Sequence, residues 1–180
     1  MTKLNTFNLR ELVFNAKLET FRLELLEQYK VNGEWEQFQK YLNGEEVKGD
    51  EYFKEFCQFI SKAVKKGIKH RRVHVVPQIL TPYLKFEIEN GYFPMSEAGA
   101  SIFLIEKPKY FNLLYQLFQE KFQPHEFWLI DDKIVIELKY HQEGILKETK
   151  LITEKKLVQN YVKLKENLLQ ESIDFRKWPY

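Results

Sequence analysis

Arg22 and Glu24 stand two residues apart in Thr20-Phe21-Arg22-Leu23-Glu24-Leu25, where apolar and polar side chains alternate. Charges at that spacing share one face of a strand. If helices cover the face, the two must be paired or hydrogen-bonded, because an unpaired buried charge costs several kcal/mol. At an exposed edge they are ordinary solvated residues, and the pattern leaves both readings open. Glu87, Asp131 and Asp132 are further carboxylates of the kind that act as acids, bases or cation ligands. Consecutive aspartates on a strand point to opposite faces, so Asp131 and Asp132 are most simply turn residues whose side chains accept local hydrogen bonds. One cysteine, Cys57, and four scattered histidines supply no zinc set, and the lone thiol fits a reducing compartment. Neither a metal nor a cofactor is expected.

Lys62, Lys65, Lys66, Lys69, His70, Arg71, Arg72 and His74 make the densest basic run. Such a run can neutralise the phosphates of DNA or RNA. Lysines at a helix C-terminus also complement the helix dipole and stay in water, with no ligand needed. No aromatic residues interleave with the run, as readers of single strands require. Twenty-eight basic against twenty-six acidic residues leave a net charge of +2, so the overall field neither demands nor excludes a polyanion. Nucleic-acid contact, if made, rests locally on Lys62, Lys65, Lys66 and Lys69.

The elements that position these residues read in order. Residues 8–17 carry helical spacing, residues 20–25 alternate as a strand, and a short helix surrounds Trp35, Phe38, Tyr41 and Leu42. With Asp50 as N-cap, a helix from Glu51 to Lys66 sets Tyr52, Phe53, Phe56, Ile60 and Ala63 on one face and closes at Gly67. The strand Arg71 to Val76 follows at once, the αβ half of an α/β unit, and belongs near the sheet centre. Tyr83 to Glu89 reads as helical or irregular, Asn90-Gly91-Tyr92-Phe93-Pro94 as a loop, and Ser101 to Glu106 as a strand. A helix over Tyr110 to Phe122 turns Phe111, Leu114, Tyr115 and Phe118 inward. Phe127-Trp128-Leu129-Ile130, the Asp131-Asp132 turn and Lys133 to Leu138 form a hairpin, and Ile145 to Thr153 adds a third antiparallel strand. The last helix, from about Glu154, aligns Leu157, Tyr161, Leu164 and Leu168 to cover its own sheet or that of a second copy in a homodimer. Trp178-Pro179-Tyr180 reads as a tail.

His125 and Asp132 occupy the first and eighth positions of the His-x-Lys-x(4)-Asp signature of the phospholipase D-like superfamily. Phe127 stands where that family has its lysine, no second His-x-Lys occurs, and Glu137-Leu138 replaces the usual Gly-Ser. In the family the histidine attacks phosphorus and the lysine neutralises phosphoryl oxygens. This chain resembles a degenerate, non-catalytic relative. A broader resemblance rests on four ordered blocks: Phe21-Arg22-Leu23-Glu24, Arg71-Arg72-Val73-His74-Val75-Val76, Tyr83-Leu84-Lys85-Phe86-Glu87, and Glu126-Phe127-Trp128-Leu129-Ile130-Asp131-Asp132. In these the chain is similar to an uncharacterised family of small bacterial proteins, often encoded beside helix-turn-helix regulators. The resemblance implies an α/β fold and a regulatory setting, with no activity to transfer. Its marked polar positions are Arg22, Glu24, Arg71, Arg72, Glu87, Asp131 and Asp132. Arg22, Glu24, Arg72 and Glu87 are expected to converge beside the Trp128 hairpin as an ion-pair network that either binds a small anion or polar ligand or specifies the fold.

At 180 residues and 44% hydrophobic content the chain can bury one core, read as a single domain over residues 1–180. The expected fold is α/β, with a mixed sheet of about five strands and helices packed on it. No signal peptide and no window of about 18 uncharged apolar residues is seen, so a cytoplasmic protein without a membrane partner is expected. The expected function is a non-enzymatic regulatory or ligand-binding module acting with a helix-turn-helix regulator or other protein. Phosphodiesterase or nuclease activity and direct nucleic-acid binding are the alternatives.

Overall fold

The computed structural model describes residues 6–31, 33–49 and 51–179, so the expected N-cap at Asp50 lies outside the described residues. The chain runs through α1 (Thr6–Phe14), β1 (Glu19–Glu24), α2 (Glu34–Leu42), α3 (Glu51–Val64) and β2 (Lys69–Val76). Next come α4 (Pro82–Glu87), a π-helical turn (Ile88–Tyr92), α5 (Phe93–Glu97), β3 (Ser101–Glu106) and α6 (Lys107–Phe118). Then follow β4 (Glu126–Ile130), β5 (Ile134–Tyr140), β6 (Leu146–Ile152), α7 (Lys155–Glu171), β7 (Ile173–Asp174) and a 3-10 turn (Phe175–Lys177). The sheet has seven strands in the order β6-β5-β4-β1-β2-β3-β7. The first three strands in sequence are mutually parallel at its middle, and antiparallel pairs extend both sides. The fold is the mixed α/β arrangement anticipated, with more strands than the five expected; β7 is too short to carry a periodic signal.

Helices cover both sheet faces, and strand alternation decides what each receives. Phe21, Leu23, Val73, Val75, Phe127 and Leu129 point to one face, where Val158, Tyr161, Leu164 and Leu168 of α7 and Tyr110 and Leu113 of α6 pack on them. The final helix thus covers its own sheet. On the opposite face Ile102, Leu104 and Val76 meet Ile60 of α3 and Leu84, Ile88, Tyr92 and Met95 of the α4–α5 segment.

Four local expectations change. The 90–94 segment is helical rather than a loop: the π turn runs directly into α5, with Pro94 just after the π turn's last i to i−5 bond, from the Phe93 N–H to the Ile88 carbonyl. In α6 the buried stripe is rotated, with Tyr110 and Leu113 buried while Phe111 and Tyr115 are more than 60% exposed. In α7 Val158 replaces Leu157 on the inner face. Trp178 is 5% exposed and packs with Phe175 against the second face, so the expected tail closes the core there. No helix among the described residues is long and apolar enough to cross a membrane.

Local chemistry sets the key joints. Asp131 and Asp132 adopt left-handed backbone (φ 52° and 55°) between Ile130 and Ile134, conformations that aspartate tolerates better than most residues. Thr81 caps α4 by accepting the Leu84 N–H at 3.2 Å, with Pro82 at the first helical position. Gly144 (φ 79°) lies so close to the 25–31 loop that a Cβ there would sit 2.6 Å from the Gln28 carbonyl oxygen. Its own carbonyl accepts the Lys30 N–H at 3.0 Å, pinning that loop against the β5–β6 turn.

Candidate functional site

Parallel pairing of β1 and β2 sets Arg22 opposite Arg72 and Glu24 opposite His74, and period-2 alternation sends all four side chains to one face. Two arginines side by side in a covered sheet need carboxylates, and three supply them. Arg22 Nη2 donates to Glu126 Oε2 at 2.6 Å, and its Nε lies 3.6 Å from Glu24 Oε1. Arg72 Nη1 donates to both Glu24 oxygens at 2.8 and 2.9 Å and lies 3.9 Å from Glu87 Oε1. Arg22, Glu24, Glu87 and Glu126 are each 8% exposed or less, which selects the buried-pair reading over the solvated one. Burial pushes the Glu24 carboxyl up, but Arg72, His74 and Arg22 outweigh it and hold the group below its ordinary value of 4.5.

His74 has no exposure, and its Nε2 lies 2.7 Å from the Leu26 carbonyl oxygen. A carbonyl only accepts, so Nε2 carries a proton. Its Nδ1 lies 2.6 Å from the Tyr92 hydroxyl, which donates to Glu24 Oε2 at 3.1 Å. A hydroxyl has one proton: given to Glu24 it leaves the Tyr92 oxygen to accept from Nδ1–H of an imidazolium, given to Nδ1 it leaves the ring neutral, and the surrounding carboxylates favour the imidazolium. Burial pushes the imidazole down, yet Glu87, Oε2 at 3.4 Å, and Glu24 push it up by more, and the net shift is upward from 6.5. The π turn delivers the Tyr92 hydroxyl to this point. Such irregularities recur where a helix must re-aim a side chain at a site.

Glu126 organises the loop after β1. Its Oε1 accepts N–H groups of Leu25 and Leu26 at 3.0 and 3.1 Å and the Tyr29 hydroxyl at 2.6 Å. Above this charged floor lies a cavity of about 330 Å³, lined by Arg22, Glu24, Glu34, Arg72, Glu87, Trp128 and Tyr140 together with apolar and aromatic walls that include Phe53, Phe56 and Phe86. The Arg22 guanidinium carbon sits 5.7 Å from the Trp128 ring centre. Glu34, at the start of α2, accepts a hydrogen bond from the Tyr83 hydroxyl. Burial first, then the Glu87 carboxylate, push Glu34 up to about 7.

The structure therefore brings Arg22, Glu24, Arg72 and Glu87 together beside Trp128, and does not bring Arg71, Asp131 or Asp132 to them. Arg71 is one residue from Arg72 and points to the other face, where it donates to Glu19. There Lys165 of α7, 3% exposed, donates to Glu19 Oε2 at 2.9 Å and Asp132 Oδ1 at 2.6 Å, tying the helix to the sheet. Asp131 accepts three backbone N–H bonds, from Lys17, Leu18 and Glu19, and these outweigh partial burial to lower its pKa from 3.8. The basic run divides: Lys62, Lys65, Lys66 and Lys69 are exposed, while His70 and His74 are buried and Arg71 and Arg72 are engaged in the sheet. His125 is exposed before β4, Asp132 lies beyond its far end, and Phe127 between them has no exposure.

One donor atom each from Glu24, His74 and Glu87 falls within 4.8 Å of the others, the spread of a small cation site. The donors do not fit a metal. Nδ1 is already engaged with the Tyr92 hydroxyl at 2.6 Å, Tyr92 and Arg72 engage the Glu24 oxygens, and Arg22 and Arg72 repel a dication. What the arrangement offers is a fixed, internally neutralised polar floor under an aromatic chamber.

Sequence reasoning named His74 in the basic run and Glu126 in a family block but placed neither at this site, nor Glu34 and Tyr92. Glu126 shares the alternation of Trp128, and His74 that of Arg72, so both had a signal. Glu34 and Tyr92 reach the site through helix placement and carried none. A comparison with curated proteins finds no match. Residues 8–179 match the model of a family described as a domain of unknown function, DUF6879, and the chain belongs to that family.

Proposed function

We propose that this protein is a non-enzymatic ligand-binding module of a bacterial regulatory system, working with a helix-turn-helix regulator and reporting a small molecule held in the cavity above the Arg22–Glu24–Arg72–Glu87 floor. The carrying observation is the cavity itself: about 330 Å³, aromatic walls, and a few polar groups on a rigid sheet, the usual make-up of a small-molecule site. Its charged floor is already paired and its histidine is protonated against carboxylates, which suits positioning a ligand better than activating a nucleophile. Phosphodiester hydrolysis draws no such support, since Phe127 puts a buried ring where the lysine would act.

The test is a thermal-shift and calorimetric screen of neutral, cationic and anionic aromatic amphiphiles, repeated on Val47→Trp, which narrows the chamber. One-to-one binding by any class, abolished in the variant, supports a cavity site. If no class binds, or binding survives Val47→Trp unchanged, the reading falls.

A second reading, direct nucleic-acid contact, is favoured by one observation. Lys62, Lys65, Lys66 and Lys69 are exposed at the end of α3 and the start of β2, and no ion pair engages them among the described residues.

A further inference from the structure

Charges lining the cavity do not cancel evenly. Arg10 is paired with Glu55 at 2.7 Å, Arg22 with Glu126 at 2.6 Å, and Arg72 with Glu24 at 2.8 Å, so each guanidinium there has its carboxylate. Around the floor three cations, Arg22, Arg72 and protonated His74, face three carboxylates, Glu24, Glu87 and Glu126. Glu34 is a fourth, and it has no basic partner within 4 Å among the described residues; its contact is the Tyr83 hydroxyl. Glu87, 8% exposed and lining the cavity, keeps Oε2 without a hydrogen bond, with His74 Nδ1 3.4 Å away. Arg22 Nη1 is likewise a buried donor without a hydrogen-bond partner, but the charges of Arg22 and Arg72 are already met by Glu126, Glu24 and Glu87, so an anion would compete with those carboxylates. A cation would meet the excess.

We propose, resting on the cavity reading above, that the ligand is a small organic ammonium, an aromatic or apolar body carrying a protonated amine, with its head between Glu34 and Glu87 and its body against the aromatic walls. The groups facing Glu34 are Tyr83 and Glu87 of α4, Glu24 of β1 and Arg72 of β2. Glu34 and Glu87 repel each other, and an ammonium between them relieves that repulsion. The walls suit the remainder, since aromatic faces attract cations and cover apolar surface. Because the Glu34 carboxyl titrates near neutrality at about 7, binding draws it to the ionised form and releases a fraction of a proton.

Three indoles of matched shape decide the matter by calorimetry: tryptamine (cation), 3-methylindole (neutral) and indole-3-propionate (anion). Tryptamine is expected to bind one-to-one, about tenfold or more tighter than either of the others. Glu34→Gln is expected to weaken tryptamine about tenfold and leave 3-methylindole unchanged. Heats in two buffers of different ionisation enthalpy should show proton release that vanishes in Glu34→Gln. If 3-methylindole or indole-3-propionate equals or exceeds tryptamine, the ammonium assignment is overturned while the cavity remains a ligand site. If none of the three binds, the ammonium assignment also falls, and the cavity reading is judged by the broader screen and Val47→Trp. Glu87→Gln is a second variant, and the comparison of probes on the unaltered protein needs no variant to fold.

Discussion

The Tyr92 hydroxyl lies 2.6 Å from His74 Nδ1 and links it to Glu24 in the buried floor. His74 Nε2 is committed to the Leu26 carbonyl, and with the Tyr92 proton on Glu24 the imidazole holds two protons in a site with no exposure, the state its carboxylate neighbours favour. A buried cation persists there only because Glu24 and Glu87 surround it.

Stability should therefore depend on pH above neutrality. His74 binds its proton more tightly folded than unfolded, so its contribution is complete below pH 6.5 and is lost as pH rises through the raised folded value. Glu34 acts with the same sign at lower pH: its stabilisation is complete below 4.5 and is lost as pH rises through about 7. Urea midpoints measured between about pH 5 and about pH 9 should fall as pH rises. Glu34→Gln should remove the lower part of the fall and His74→Gln the upper part; a flat profile in the unaltered protein would contradict the imidazolium assignment.

Tyr92→Phe keeps the ring and removes the bridge between His74 and Glu24. The expected cost is ~1–3 kcal/mol, the penalty for leaving buried polar groups unsatisfied. Chemical denaturation measures it, and a loss indistinguishable from zero would mean the hydroxyl does not join the network.

Arg22 and Glu126 form a buried pair at 2.6 Å, and Glu126 also ties down the loop carrying Tyr29. Removing one partner, as in Arg22→Met or Glu126→Gln, should cost ~3–5 kcal/mol because the other charge is stranded. The double variant Arg22→Met with Glu126→Leu should recover part of that loss. A double-mutant cycle reads the coupling, and strict additivity would show that the two charges act independently.

Asp131 serves the fold rather than the cavity. Asp131→Ala should destabilise by ~1–3 kcal/mol through loss of hydrogen bonds from Lys17, Leu18 and Glu19, with added strain in the left-handed turn. Because its folded pKa is depressed, its stabilisation is present above pH 3.8 and lost as pH falls through the lowered value. Acid titrations of the unaltered protein and Asp131→Ala should converge at the acid end; curves that stay parallel would rule this role out.

For the lysine patch, binding to duplex DNA should weaken steeply with salt, and replacing Lys62, Lys65, Lys66 and Lys69 with alanine should flatten the slope by up to about one unit for each phosphate no longer neutralised. Filter binding across a salt series tests this. An unchanged slope would leave the patch as solvated helix-end charge.

Alternation along Thr20 to Leu25 and Arg71 to Val76, helix punctuation at Gly67 and the double aspartate determined most strands and the class of fold, because period and backbone preference are local properties. The same alternation foretold that Arg22 and Glu24 share a face. It could not say whether that face is covered, which needed α3 and the α4–α5 segment to be laid over it. The sequence placed Arg71 and Arg72 in one basic run and Arg72 alone in the expected network; strand pleating sends Arg71 to Glu19 beneath α7 and Arg72 to Glu24 under the cavity. The buried stripe of α6 was misplaced by one residue, and in α7 Tyr161, Leu164 and Leu168 face inward as expected while Val158 takes the place of Leu157, since which stripe is buried depends on how the helix is rotated against the sheet. Glu34, Tyr92 and the cavity come together only in three dimensions. They join segments far apart in the chain, and the excess negative charge between Glu34 and Glu87 follows from that meeting, not from either residue's neighbours in sequence.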